Sequence, residues 1–124
     1  MDRETILVVE DEGVVRRFAV RALKEVGYTV LEAAHGVEAI ELVERHPGPV
    51  HLLFTDLVMP RVSGRALAEA LRRRRPELRV LFTSGYPPNA FSENVPGDHG
   101  FILTKPYEMG SLARRVREVL DDFG

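Results

Sequence analysis

Asp56 stands where an apolar run ends. His51-Leu52-Leu53-Phe54-Thr55 precedes it, a stretch too short for a typical helix and suited to a buried strand. Leu57-Val58-Met59-Pro60 follows, and Pro60 stops any simple continuation. A second acidic pair, Glu10-Asp11, ends the run Ile6-Leu7-Val8-Val9. Lys105 ends a third run, Phe101-Ile102-Leu103-Thr104, and Pro106 follows it. In a parallel sheet the strand C-termini share one edge, so three carboxylates and one amine would converge on one crevice. Like charges gathered together cost energy, and such a cluster points to a bound cation or a reactive group. The lysine is informative for a compositional reason. Of 17 basic residues only Lys24 and Lys105 are lysines. A compact point charge beside the acids therefore departs from the arginine habit of the chain.

The elements that must position these residues follow the same logic. Thr5 to Val9 reads as a strand. Val14, Val15, Phe18, Ala19, Ala22, Leu23 and Val26 recur at helical spacing, and Gly27 closes that helix. Tyr28 to Ala33 reads as a second strand and Val37 to Arg45 as a short helix. Pro47-Gly48-Pro49 breaks the chain before a third strand, Leu52 to Thr55. Ala66, Leu67, Ala70 and Leu71 mark a helix that ends before Pro76. Arg79 to Thr83 and Phe101 to Thr104 read as strands, and Glu108 to Leu120 as the last helix. Strands alternating with helices predict an α/β fold, a parallel sheet covered on both faces. Ligands of such sheets sit beyond the strand C-termini at a topological switch point. Between Gly85 and Gly100, Pro87, Pro88, Pro96 and Gly97 leave room for a helix over about Asn89 to Asn94. That stretch is expected to be the most mobile part of the fold.

Composition narrows the function. The 124 residues fit one domain, 1–124, with 44% hydrophobic and 29% charged residues. A net charge of -2 does not favour nucleic acid. No cysteine is present, which excludes disulfides and thiolate metal sites. No apolar run approaches the roughly 20 residues of a membrane span, and Met1-Asp2-Arg3-Glu4 does not read as a signal peptide. A cytoplasmic domain with no membrane contact is expected. No glycine-rich loop follows the first strand, which argues against a nucleotide-binding domain.

The motifs in order are Glu10-Asp11, Asp56 with Met59-Pro60 and Gly64, Ser84-Gly85, and Lys105-Pro106, each at a strand end. With them the chain resembles the receiver domain of two-component response regulators over almost its whole length. The resemblance implies a doubly wound, five-stranded parallel sheet of order 2-1-3-4-5, the CheY-like fold. It implies that Asp56 accepts a phosphoryl group from a phosphohistidine on a histidine kinase or a histidine phosphotransfer domain. A carboxylate ionised at neutral pH needs no general base for that attack. Glu10, Asp11, Asp56 and the backbone carbonyl of Val58 would hold Mg²⁺, an oxygen-seeking cation. Lys105 would neutralise phosphoryl oxygens, and the Ser84 hydroxyl would donate to one of them after modification. Ser84 is preferred to Thr83 because Gly85 follows it and leaves room. A cis Lys105-Pro106 bond is implied as well. The domain would be a phosphoacceptor module that catalyses its own modification rather than a freestanding enzyme. The opening run Glu4 to Asp11 and the Phe82-to-Tyr86 turn look most like the C-terminal receiver of a hybrid sensor histidine kinase. A stand-alone single-domain regulator and a phosphorylation-independent interaction module are the alternatives. A phosphohydrolase would need a second acid where Val58 stands.

Two departures bear on switching. The family often has an aromatic residue three positions before the lysine, and Ile102 stands there. Phe101 alternates to the other face and cannot replace it. Val58 and Tyr86 would border the phosphoryl group, and Val58 cannot orient an attacking water, which predicts slow self-dephosphorylation. Val14, Val15 and Phe18, with the Pro106-Tyr107 loop, border where the family receives its donor helix, although core packing is the other reading for Phe18. The four arginines Arg72 to Arg75 spread around a helix and read as a solvated, dipole-favoured end. His35, His46, His51 and His99 show no ligand spacing. A weak homodimer on the face of the fourth and fifth strand-helix units is left open.

Overall fold

A computed structural model describes residues 4–85 and 100–121. The elements run β1 (Thr5–Val9), α1 (Gly13–Glu25), β2 (Thr29–Ala33), α2 (Gly36–Arg45), β3 (Leu52–Asp56), α3 (Gly64–Arg74), β4 (Arg79–Ser84), β5 (Gly100–Thr104) and α4 (Met109–Asp121). The strands form one sheet in the order β2-β1-β3-β4-β5, and every pairing is parallel. This is the expected doubly wound α/β fold. The chain leaves β1 towards β2 on one side and reaches β3 on the other. The crevice between the ends of β1 and β3 is therefore the switch point. The Asn89–Asn94 helix, Tyr86, His99 and the expected mobility of their segment lie outside the described residues.

Alternation divides the buried residues between two cores. Ile6, Val8, Leu52, Phe54 and Leu81 face α1 and α4, where they meet Leu23, Leu112 and Val116. Leu7, Val9, Leu53, Val80 and Phe82 face α2 and α3, where they meet Ala39, Val43, Leu67 and Leu71. A strand covered on both faces needs no polar positions, which is why β1 and β3 read as continuous apolar runs.

Local chemistry sets the element ends. Gly27 follows the α1 C-cap with φ 103°, and its N–H bonds the Lys24 carbonyl at 3.0 Å. His35 caps α2 by accepting from the Glu38 N–H at 3.3 Å, while Glu38 accepts from the Ala34 N–H at 2.7 Å. The pair resembles a capping box, with histidine as N-cap and the glutamate reaching one residue further back, to Ala34. Ser63 caps α3 through the Ala66 N–H at 3.1 Å.

Two readings of helix faces change. The buried residues of α1 are Ala19, Val20, Ala22 and Leu23. Val14 is 74% exposed and Phe18 36% exposed, and Val26 is exposed too. The apolar stripe thus runs past the core edge onto the surface beside β5. The arginine run is more than a solvated end. Arg75 donates to the carbonyls of Gly48 (2.7 Å), Val43 (3.0 Å) and His46 (3.0 Å). It thereby binds carbonyls at the end of a different helix, α2, and in the loop after it. Arg74 pairs with Glu44 at 2.9 Å. His51 also has structural work, since its Nδ1 accepts from the Thr5 N–H at 2.9 Å.

Candidate phosphoacceptor site

Asp56 is the last residue of β3, buried where the strand opens into the crevice. Its Oδ1 accepts from the Val58 N–H at 3.2 Å, and its Oδ2 from Lys105 Nζ at 2.9 Å. The turn beyond it is held by the Leu57 N–H on the Thr83 carbonyl at 2.9 Å. It is also held by the Gly64 N–H on the Leu57 carbonyl at 2.9 Å. Gly64 begins α3 directly under this turn. A Cβ there would overlap the Asp56 carbonyl oxygen and stand 3.0 Å from Leu57 Cα, so only glycine permits the approach.

Glu10 lies one residue past β1 yet stays in the sheet, its N–H bonding the Ala33 carbonyl at 3.2 Å. Its side chain is buried, with Oε2 accepting from the Glu12 N–H at 3.1 Å and Oε1 2.9 Å from Lys105 Nζ. Asp11 stands at the exposed rim. Carboxylate oxygens of Glu10, Asp11 and Asp56 lie within 4.8 Å of one another. An open cleft of about 340 Å³ lies in front of them, lined by Asp11, Glu12, Asp56, Val58, Gly85 and Lys105.

Lys105 ties two of the three acids together. Burial works to lower its pKa, but the hydrogen bonds to Asp56 and Glu10 outweigh that and hold the ammonium well above its ordinary value. Glu10 is pushed above the usual carboxylate range, chiefly by burial and against the pull of Lys105. The two ends of this pair therefore differ. The ammonium gains from the contact, while the buried carboxylate is still harder to ionise than in water. Tyr107 is pushed up to about 12, first by burial and then by the charge of Glu10.

Of the residues singled out in the sequence, Glu10, Asp11, Asp56 and Lys105 meet as expected, and Val58 lines the same cleft. Ser84 ends β4, buried, with its carbonyl accepting from the Lys105 N–H at 2.8 Å. Thr83 directs its hydroxyl to the Leu103 carbonyl at 2.8 Å, so it serves the sheet. Ile102 packs partly buried against the α2/α3 core. The Lys105-Pro106 bond is cis. Val14, Val15, Phe18, Lys105, Pro106 and Tyr107 line an apolar hollow of about 320 Å³ beside the cleft. Sequence reasoning missed Glu12 and Arg16. The second binds the Glu10 backbone from α1 at 2.8 Å, and its only signal was a polar residue in the first helical turn after the acids.

Comparison with known proteins agrees with this geometry. Residues 6–117 match the family "Response regulator receiver domain". The chain is 46% identical over 118 residues to the sensor kinase CckA of Brucella abortus (strain 2308), covering 94% of the chain but 12% of that kinase. It is 33% identical to the response regulator receiver protein CpdR of the same organism, covering 93% of the chain and 95% of that protein. The crystal structure of the receiver domain from hybrid histidine kinase CckA superposes with TM-score 0.81 at 38% identity, covering 94% of this chain and 99% of that one. CheY4 of Vibrio cholerae shares the fold, with TM-score 0.84 at 22% identity over 95% of this chain and 99% of that one. The sheet order and the matched sequence thus lead to one conclusion: the chain belongs to the response regulator receiver domain family of two-component signalling.

Proposed function

We propose that Asp56 is the phosphoacceptor of the domain and that Glu10, Asp11, Asp56 and the Val58 carbonyl would hold a Mg²⁺ ion for the transfer. The observation that carries this is the convergence of three carboxylates and Lys105 at the mouth of one cleft. The donor set fits a hard divalent cation. The acid side chains offer only oxygen, and three carboxylates against one ammonium leave two negative charges to balance. When bound, the cation supplies neutralising charge for phosphoryl oxygens.

The remaining work belongs to the residues. An Asp56 carboxylate oxygen attacks the phosphorus of a phosphohistidine on a histidine kinase or a histidine phosphotransfer domain. The P–N bond breaks as the O–P bond forms, and the imidazole departs. The Val58 N–H and Lys105 orient the two Asp56 oxygens, so catalysis is positioning plus electrostatics. Lys105 neutralises the charge that arrives, and Ser84 donates to the modified side chain. The hollow lined by Val14, Val15, Phe18, Pro106 and Tyr107 suits an apolar helix face of the donor. Residues 1–124 form one receiver unit in this reading. The 46% identity to CckA supports a hybrid sensor kinase as the parent chain, in the cytoplasm. Among the described residues no helix is long and apolar enough to cross a membrane.

Incubation with acetyl phosphate, with and without Mg²⁺, tests the proposal by intact mass. A Mg²⁺-dependent gain of one phosphoryl group, absent from Asp56→Asn, is the expected result. An unmodified wild-type chain that still binds Mg²⁺ would instead indicate a phosphorylation-independent module. Val58 is 46% exposed and offers no side-chain hydrogen bond to a water. The acyl phosphate is therefore expected to be long-lived. In a chase after removal of donor, Val58→Asn shortens its half-life; equal half-lives would refute that role.

A further inference from the structure

We propose that Arg16 is a positioning residue for the cation site: it fixes the peptide between Glu10 and Asp11 so that Asp11 faces Asp56, without itself touching the cation or the phosphoryl group. The inference rests on the phosphoacceptor reading above and adds to it the residue that sets the acid pair.

Arg16 lies in the first turns of α1, with its side chain 20% exposed. Its Nη1 donates to the Glu10 carbonyl at 2.8 Å. Its Nε donates to Glu32 Oε1 at 3.2 Å. Glu32 lies on β2 opposite Val8, so the anchor of Arg16 belongs to the sheet itself. The Glu10 N–H is meanwhile held by the Ala33 carbonyl on the same strand. Glu10 is therefore gripped at both backbone groups, once by β2 directly and once by a side chain anchored on β2. The peptide unit is planar, so fixing the Glu10 carbonyl fixes the Asp11 N–H and the direction in which Asp11 leaves the strand. Asp11 needs that help because it stands at the exposed rim. Arginine suits the task, since its fork reaches two acceptors in different directions while a lysine ammonium is a single point.

Charge and positioning make opposite forecasts here. A guanidinium near three carboxylates opposes a divalent cation by simple Coulomb repulsion. If Arg16 acted only through its charge, Arg16→Gln would tighten Mg²⁺ binding. If it acts by holding the peptide, the same change weakens binding. Arg16→Lys keeps the charge and loses the bridge, so positioning forecasts weaker binding there as well.

The experiment is an Mg²⁺ titration of the full chain followed by amide NMR, with thermal unfolding of each variant as the folding control. Arg16→Gln and Arg16→Lys are each expected to raise the Mg²⁺ Kd about tenfold, the usual scale for residues that orient a metal ligand. Both are also expected to shift the Asp11 amide resonance before any metal is added. Glu32→Gln keeps an acceptor oxygen but removes the charge that strengthens the Nε anchor, and is expected to show a smaller loss in the same direction. Mg²⁺ binding by Arg16→Gln that equals or exceeds wild type would overturn the inference. Should that variant fail to fold, unchanged Kd values in Arg16→Lys and Glu32→Gln overturn it equally. A wild-type chain that neither binds Mg²⁺ nor forms the acyl phosphate would sink the phosphoacceptor reading itself, a different result from wild-type success with indifferent variants.

Discussion

Gly64 shows how closely the site is built on backbone. A methyl group there would strike the carbonyl of Asp56, and neither β3 nor α3 can move aside without losing its packing. Gly64→Ala is expected to destabilise the domain by about 2 kcal/mol in urea unfolding and to slow acyl phosphate formation. A variant that unfolds at the wild-type midpoint would show that the turn gives way. Asp11 makes the opposite trade. Its carboxylate adds to a cluster that already holds Glu10 and Asp56. Asp11→Asn is expected to raise the stability of the metal-free protein by about 1 kcal/mol while abolishing the further rise on adding Mg²⁺. Thermal unfolding with and without the cation reads both effects. At this scale the meeting of the acids and the lysine was legible. Asp56, Glu10-Asp11 and Lys105 each followed an apolar run, and strand ends of a parallel sheet must meet. Arg16 was not legible, because a hydrogen bond to a backbone carbonyl leaves no residue-type signature. Nor was the reason for Gly64, which lies in the distance between two backbones.

Elements were read well where one period dominated. The runs of β1 and β3 and the stripe of α4 needed no tertiary information. α1 was harder, because one apolar stripe serves two purposes. Its second half, from Ala19 to Leu23, enters the core, while Val14 and Phe18 stay at the surface. Hydrophobicity alone does not separate a core face from an exposed one. Phe18 is held there by Tyr107, with ring centroids 5.9 Å apart, and Tyr107 in turn meets Phe54 of β3 at 5.7 Å. Within the arginine run at the end of α3, Arg73 and Arg74 are exposed as expected and Arg75 departs, for a related reason. A helix end offers cations to its own dipole, but Arg75 instead reaches the carbonyls of α2 and the loop after it. Arg75→Lys retains the charge and loses the three-way fork, so it is expected to cost about 1–2 kcal/mol. Unfolding at the wild-type urea midpoint would return Arg75 to the solvated surface.

At the scale of the whole domain, ties between distant parts of the chain complete the fold. Arg117 of α4 reaches Glu4 at 2.9 Å, just before β1, and also Asp121 at 2.9 Å. The Arg117 hydrogen bond holds the Glu4 carboxyl below its ordinary 4.5. A lowered carboxylate stabilises the folded state at pH above its unfolded value, and the contribution disappears as pH falls through the folded value. The pair is partly solvated, so its effect amounts to a few tenths of a kcal/mol. Glu4→Gln is expected to unfold slightly earlier than wild type at neutral pH and together with it below the folded value. A gap that persists in acid would mean that the carboxylate is not the source.

The sheet that places the cleft also acts as a wall. Ile6 and Val8 look to one core, Leu7 and Val9 to the other, and among the described residues no buried side chain belongs to both clusters. Sites that share no partners contribute independently to stability. Leu23→Ala and Leu67→Ala, one on each side, are expected to sum to within about 0.5 kcal/mol in the double variant. The surface around Val14 and Phe18 borders the first of these compartments through Tyr107. In the proposed function the hollow at Val14, Val15 and Phe18 receives the donor, so changes that retarget it would fall there while Gly64 of α3 goes on holding the turn after Asp56 from the other face.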